Sequence, residues 1–270
     1  PQDEYLEPGQ KPKTDKEKIQ PMEQLYSVFA SMMEKGSWRI FEFGQPYLVW
    51  EIAYVKNEIR FYVSVPSRYR DMLVRAVHSV SSEAVVEPTP DYNIFTPTKN
   101  GGGVAGSYLM TRRSSFLPIK TYQELDVDPL NEIATHFSKL MDDESAVMQV
   151  LMRPTKKKFN KTALKITKKM QEGYSFDKAY SLVKKVWFAS YKVKSEKANP
   201  VLAPQDQEII KAIDNHASKS NFEVNIRLIT SAPTEERAEL ILKDFESSFN
   251  QFSFPNLNDL FRILFCIKLR

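Results

Sequence analysis

The residues of this sequence best suited to chemistry are lysines, and they are concentrated in one stretch. Between Arg153 and Lys197 there are fourteen Lys and Arg residues against three Asp and Glu residues, a local net charge of +11. The rest of the chain has a net charge of −7, so the overall value of +4 hides this asymmetry. A basic segment in an otherwise acidic protein is typical of a surface that binds anions. The alternative interpretation is a solvated helix pair whose lysines only maintain solubility.

Two helices are predicted in this basic segment, at about 158–171 and 176–190, because apolar residues recur there at helical spacing. Aromatic residues such as Trp187 and Tyr191 are interleaved with the lysines, and aromatic rings can stack on bases while lysines neutralise phosphates. Burying so many cations would be very costly, so we predict a helical hairpin that projects from the acidic body and contacts DNA or anionic lipid. The candidate anion-binding residues are Lys156, Lys157, Lys158, Lys161, Lys165, Lys168, Lys169, Lys184 and Lys185.

Nucleotide chemistry would require a phosphate-binding glycine loop, and one segment partly resembles such a loop. In NGGGVAGSY (100–108), Gly101 and Gly106 have the required separation, but Ser107 and Tyr108 stand where that loop needs Lys and Ser or Thr. We therefore predict a surface loop without nucleotide over 88–106, followed by a strand near 107–111.

Residues for metal binding or nucleophilic catalysis are scattered. His78, His136 and His216 each lie alone on a predicted helix, without a second ligand at metal spacing. Cys266, the one cysteine, lies in an apolar run and is expected to be a small buried hydrophobe. The adjacent acids at 142–144 are expected to form a turn. We predict no catalytic residue, no metal site and no cofactor in this chain.

The elements that must position the lysines form an α+β pattern, because segments with the hydrophobic spacing of a helix alternate with short segments typical of strands. Hydrophobic residues are 42% and charged residues 27% of the chain, which is typical of a globular protein, and no apolar run is long enough to span a bilayer. We predict two related halves of short antiparallel sheets packed with helices, plus the basic helical hairpin. Further strands are expected at 38–43 and 84–87. The predicted divisions are an extended lead-in (1–17), a first half (18–106), a second half (107–258) with a basic insertion (153–197), and a tail of uncertain context (259–270).

An internal repeat supports the two halves. The segments IRFYVSVPSRYRDML (59–73) and IRLITSAPTEERAEL (226–240) align without gaps. Each is expected to form a strand, a turn that contains proline, and an amphipathic helix. The alternative is a chance match between two common junctions of strand and helix.

Four blocks of the sequence together resemble one family. The blocks are PMEQLYSVFASM (21–32), IRFYVSVPSRYRDMLVRAVHSVSSEAVVE (59–87), LPIKTYQELDVDPLNEIATHFSKLMDDESAVMQVLMRP (117–154) and FEVNIRLITSAPTEERAELILKDFESSFNQFSFPNLN (222–258). They resemble the N-terminal region of type IV secretion, conjugative DNA-transfer ATPases, and the last two blocks are the most specific. Proteins of that family carry a RecA-like motor with Walker A and B motifs downstream, whereas this sequence reaches Arg270 before any such motif.

The resemblance implies an accessory, non-catalytic domain of such an ATPase, which docks the motor at the inner membrane or the secretion channel. It implies a location at the cytoplasmic face of the inner membrane. Because the sequence begins at Pro1 and not at a methionine, we also expect it to be an excerpt or a processed chain. The expected partners are secretion-channel or membrane components, DNA or anionic lipid, and a second copy of the chain. The alternative is a stand-alone nucleic-acid-binding or structural module.

Overall fold

The computed structural model describes the chain at residues 19, 21–32, 44–55, 57–95, 102–125, 128–155, 158–184 and 202–264. These residues form seven α-helices and one six-stranded sheet. The helices are α1 Pro21–Ala30, α2 Arg70–Val80, α3 Pro129–Phe137, α4 Lys158–Gln171, α5 Phe176–Lys184, α6 Pro204–Ser218 and α7 Glu235–Ser247. The strands are β1 Leu48–Val55, β2 Glu58–Ser64, β3 Gly103–Thr111, β4 Ser145–Pro154, β5 Phe222–Ala232 and β6 Leu260–Leu264.

The sheet is antiparallel throughout, in the order β2-β1-β4-β5-β3-β6. Alternate residues of each strand face one layer of helices, as the period of two in a strand requires. At one end of the sheet, Leu48 packs with α1 and α2, and at the other end Met148 and Leu228 pack with α3 and α7. The predicted α+β class is confirmed, and both halves of the chain contribute to a single sheet.

The order helix, strand, strand, helix occurs twice in the structure. It is formed first by α1, β1, β2 and α2, and then by α3, β4, β5 and α7. The two segments that match in sequence occupy equivalent places in these units, because Pro66 and Pro233 each lie between a strand and the helix that follows it. The two strands differ in position, since β2 is at the edge of the sheet and β5 is inside it.

The basic insertion connects two adjacent strands. Pro154 at the end of β4 pairs with Phe222 at the start of β5, and the chain between them forms α4, α5 and α6. The predicted basic helices are confirmed as far as Lys184, but the prediction that they project from the body is wrong. Their apolar sides pack against α6 and against residues outside the insertion, in a core that contains Phe116, Ile166, Met170, Phe176, Ile213 and Leu257.

The glycine-rich segment differs in structure from its sequence prediction. From Gly103 onward it is strand β3 rather than a loop, so the predicted division after residue 106 falls within this strand. A Cβ added at Gly103 would lie 2.2 Å from the backbone nitrogen of Glu235, because the start of α7 rests directly on the strand. Glycine is required here for the close approach of two backbones, not for a phosphate.

Other sequence predictions are corrected or fall outside the described residues. The segment 84–87 does not form a strand, whereas the tail contains β6, which pairs with β3. The sequence does not predict the short β6, because five residues, two half-buried and three exposed, give little periodic signal. Outside the described residues lie the lead-in 1–17, the strand predicted at 38–43, and Cys266.

Candidate functional site: a lysine face on helix α4

Helix α4 carries a row of lysines along one side, which we call the lysine face: Lys158, Lys161, Lys165, Lys168 and Lys169. Lys161 and Lys165 follow Lys158 at spacings of three and four residues, and Lys168 and Lys169 follow Lys165 at the same two spacings, so all five lie on one side of the helix. The first four are exposed and Lys169 is half-buried. At a rise of about 1.5 Å per residue, the row extends for about 16 Å. Five cations are therefore aligned on one surface.

The opposite side of α4 fixes the direction in which the lysine face points. Ala163, Ile166, Thr167 and Met170 are buried against α5 and α6. The helix ends before Gly173, whose φ of 92° favours glycine, and the amide of Gly173 donates to the Met170 carbonyl over 2.8 Å. Burial of the apolar side orients the lysines to solvent, and Gly173 ends the helix just beyond the lysine face.

The structure brings five of the nine predicted lysines together. Within the row, Lys169 forms an ion pair of 2.5 Å with Glu172, and this hydrogen bond raises the pKa of Lys169. Lys184 lies on α5, where its ammonium nitrogen is 5.2 Å from the centre of the Phe116 ring. Lys156, Lys157 and Lys185 lie outside the described residues.

The aromatic residues described in the basic insertion do not form a stacking platform. Phe159 stacks on Phe116 at 4.6 Å between ring centres, and Phe176 and Tyr180 pack in the same core. Trp187 and Tyr191 are outside the described residues. Beside its lysines, α4 carries Leu164, whose side chain is 55% exposed and lies one turn from both Lys161 and Lys168.

A cavity of about 910 Å³ lies beside α6, and Ile209 and Leu257 belong both to its wall and to this core. Its walls come from α1, from residues 118–124, from α6 and from residues 254–257, four segments whose proximity no local pattern reveals. Tyr122 donates to the Glu23 carboxylate over 3.5 Å, and Glu23 is also paired with Lys219. The main apolar wall residues are Met22, Tyr26, Ile119, Ile209 and Phe254.

His216 contributes to the same cavity and is held neutral near pH 7. Burial lowers its pKa, and the hydrogen bond with the backbone of Phe116 opposes that shift only in part. The imidazole also lies edge-on to Phe159, 5.5 Å away between ring centres. A neutral, packed imidazole fits a structural role in joining α6 to α4.

A row of polar and aromatic side chains crosses the other face of the sheet, away from the helix layer. Strand register aligns Tyr62, Glu51, Gln149, Arg227 and Tyr108 on five successive strands. The Gln149 amide donates to the Glu51 carboxylate over 3.1 Å, and the Arg227 guanidinium lies 5.6 Å from the centre of the Tyr108 ring. These two contacts between side chains of neighbouring strands support the register of the sheet.

The acidic turn predicted at 142–144 is confirmed, and its acids have structural partners. Glu144 is buried and accepts two hydrogen bonds from the Arg237 guanidinium, at 2.5 and 3.1 Å. Asp142 accepts a hydrogen bond of 2.6 Å from Asn57 in the turn between β1 and β2. Among the residues that the structure describes, no three His, Cys, Asp or Glu residues are arranged to hold a metal ion.

Comparison with known proteins identifies a family. A family model described as a domain of unknown function, DUF8128, matches residues 9–266. The chain belongs to the DUF8128 family. The match includes the whole basic insertion and extends into the tail beyond 259. Neither a curated protein nor a solved structure matches this DUF8128 chain. In the described part of the chain, no helix is both long and apolar enough to cross a bilayer.

Proposed function

We propose that this DUF8128 chain is a non-catalytic accessory domain of a conjugation-type DNA-transfer ATPase, which docks the motor at the cytoplasmic face of the inner membrane. The observation that carries the proposal is the lysine face of α4, five aligned cations in a protein whose residues outside 153–197 are net acidic. The resemblance of four sequence blocks to such ATPases supplies the biological setting. The domain itself then needs neither a catalytic residue nor a cofactor.

The surface chemistry favours an anionic membrane over a nucleic acid. Binding to single strands normally combines cationic grooves with aromatic stacking. The aromatic residues described in this insertion pack inward, while Leu164 is exposed among the lysines. Lysines with an adjacent aliphatic side chain suit a leaflet, where ammonium groups meet phosphates and the leucine enters the acyl boundary.

The expected strength follows from the number of cations. Each lysine near an anionic leaflet contributes about 1 kcal/mol, and the attraction is screened within about 8 Å at physiological salt. Removing three lysines should therefore cost about 3 kcal/mol, or roughly 100-fold in binding. Docking of this kind is reversible and sensitive to salt.

The test compares two triple variants that remove the same charge. Lys161→Gln, Lys165→Gln and Lys168→Gln together remove the centre of the lysine face, whereas Lys139→Gln, Lys211→Gln and Lys243→Gln remove three exposed lysines of other helices and turns. Flotation with vesicles containing phosphatidylglycerol should show roughly 100-fold weaker binding for the first triple variant and less than threefold for the second. Vesicles of phosphatidylcholine alone should bind none of the three proteins.

Two results would contradict the proposal. Equal weakening by both triple variants would mean that net charge, and not the lysine face, drives binding. Tight binding of the parent to an oligonucleotide, lost in the first variant and accompanied by no vesicle binding, would favour the nucleic-acid-binding module instead.

A further inference from the structure

Among the strands that the structure describes, β2 lies at one edge of the sheet. It pairs with β1 along its whole length, from Glu58 to Ser64, and no other described strand pairs with it. Its first four residues are all exposed, whereas most of β1 is buried or half-buried. An open edge of seven residues presents unpaired backbone donors and acceptors that another strand can use.

The edge lacks two of the features that normally protect a sheet. Natural edge strands carry lysines or prolines, which discourage further pairing, and β2 contains neither. Its two charged residues, Glu58 and Arg60, bond to each other over 2.8 Å and leave the strand neutral. At its centre, Phe61 is 72% exposed, the highest value of any aromatic residue in the described part of the chain.

The sequence of β2 is complementary to itself in antiparallel orientation. Full overlap of two copies places a twofold axis at Phe61, because Phe61 is the middle residue of the strand. Ile59 then faces Val63, and Arg60 faces Tyr62. No like charges are opposed in this register, whereas a shift that centres the axis on Arg60 would oppose two guanidinium groups.

We propose that β2 is a dimerisation edge, and that its partner is β2 of a second copy of this chain. The two sheets would become one continuous antiparallel sheet, in which the paired Phe61 rings lose their exposure to water. A twofold interface of this kind is isologous, so one exposed strand supplies both sides. This inference does not depend on the proposed function, because it uses no residue of the lysine face.

The dimer should be weak. A pair of seven-residue strands with one aromatic contact buries less than the roughly 1,600 Å² of a standard interface. We therefore expect a monomer–dimer equilibrium that shifts with protein concentration. At the opposite edge, β6 has five residues and offers a shorter ladder.

Cysteine cross-linking tests both the partner and the register, in a chain that carries Cys266→Ser. Paired residues of antiparallel strands have Cα atoms about 4.5–5.5 Å apart, within the range of a disulfide. Phe61→Cys should therefore give a covalent dimer on mild oxidation. Ile59→Cys alone should not, because the two copies of residue 59 would be about 13 Å apart. The double variant Ile59→Cys with Val63→Cys should cross-link again, and it retains Phe61.

Sedimentation equilibrium of the parent chain provides the independent measurement. The parent should show a dimer fraction that increases with concentration, and Phe61→Lys should remain monomeric because it opposes two ammonium groups at the twofold axis. Ile263→Lys, a matched change on β6, should dimerise like the parent. A monomeric parent at all concentrations, or cross-linking that is equal at residues 59 and 61, would overturn the proposal.

Discussion

Glu144 is the most deeply buried charged residue in the part of the chain that the structure describes, and its role is structural. Its side chain is only 2% exposed, and the Arg237 guanidinium binds both of its oxygens. Burial acts to raise its pKa, but the hydrogen bonds from Arg237 and from the Met141 amide outweigh burial, so the pKa is lowered. The pair joins the turn before β4 to the first turn of α7.

Substitution of Glu144 should therefore lower the free energy of unfolding far more than substitution of an exposed glutamate that pairs with an arginine. Glu144→Gln leaves a partly buried guanidinium without its counter-charge, and we expect the free energy of unfolding to fall by roughly 3 kcal/mol. The matched control is Glu58→Gln, whose pair with Arg60 is more than half exposed on both sides and should contribute little to stability. Urea unfolding of both variants measures the difference. Similar losses would show that Glu144 is not a buried anchor.

His216 should make stability dependent on pH. Because burial lowers its pKa in the folded chain, the unfolded chain binds a proton more readily, and stability is lost as pH falls below the ordinary value of about 6.5. Between pH 7 and pH 5 the free energy of unfolding should decrease in the parent and in His78→Gln, an exposed control. It should decrease less in His216→Gln, whose amide can replace the imidazole. An identical slope in all three proteins would exclude His216 as the cause.

At the scale of elements, the lysine face shows what periodicity can predict. Spacings of three and four residues in the sequence place Lys161, Lys165 and Lys168 on one side of a helix, and the structure agrees. The same pattern also gives α4 an apolar side, but it does not say what covers that side. The covering residues Phe116 and Leu257 are far away in sequence, which is why the predicted projecting hairpin instead packs into a core.

The exposure of Leu164 leads to a prediction that distinguishes membrane binding from nucleic-acid binding. Leu164→Gln should weaken binding to anionic vesicles by roughly tenfold, since burying a leucine in the interface contributes about 1.5 kcal/mol. It should leave stability unchanged, because the side chain is already 55% exposed. The control is Leu182→Gln on α5, 45% exposed and outside the lysine face, which should bind vesicles like the parent. Unchanged binding by Leu164→Gln would remove the leucine from the docking surface.

Gly103 shows why a glycine-rich segment cannot be interpreted from composition alone. The three consecutive glycines suggested a loop, but a strand can contain glycine where another backbone approaches it closely. Here the approach comes from Thr234 and Glu235, more than 130 residues further along the chain. The contact depends on the position of α7, which local sequence does not encode.

Replacing Gly103 should disturb the packing of α7. Gly103→Ala places a methyl group 2.2–2.3 Å from backbone atoms of α7 and its cap, so the strand and helix must separate, at a cost of about 3 kcal/mol or more. Gly44→Ala is the control, because its φ of 72° causes strain of roughly 1 kcal/mol but no atom lies within 4 Å. Thermal and urea unfolding should rank Gly103→Ala as the less stable variant. The reverse order would contradict the close packing of α7 on β3.

At the scale of the whole molecule, the boundary between acidic and basic sequence follows the boundary between the sheet with its covering helices and the segment that joins β4 to β5. The sheet and its four covering helices belong to the acidic part of the sequence, and the basic residues are concentrated in the insertion between β4 and β5. The sequence predicted an insertion over 153–197 from its charge. In the structure the segment between β4 and β5 also includes α6, and the two ends of this longer segment meet. The amide of Thr155 donates to the Asn221 carbonyl over 2.9 Å, one step beyond the last pair of the ladder.

This closure predicts that the insertion can be removed without loss of the sheet. Deleting 156–220 and joining Thr155 to Asn221 through an Asn-Gly turn converts β4 and β5 into a tight hairpin, a connection that favours right-twisted antiparallel strands. The deletion exposes Phe116 and Leu257, so both should be changed to serine in the same variant. We expect a cooperatively unfolding protein that retains strand and helix signals in circular dichroism and has lost vesicle binding.

The full-length chain with Phe116→Ser and Leu257→Ser is the control for the deletion. It loses the apolar contacts of these two residues but keeps the lysine face. There the serines replace buried apolar side chains, at roughly 3–5 kcal/mol for the phenylalanine alone, but the lysine face is retained. That protein should be destabilised and should still bind anionic vesicles below its unfolding transition. The shortened protein should be folded and should not bind them. If the shortened protein fails to unfold cooperatively, helices α4 to α6 are needed to stabilise the sheet. The DUF8128 fold is then a single cooperative unit, and not a sheet to which a basic docking layer has been added.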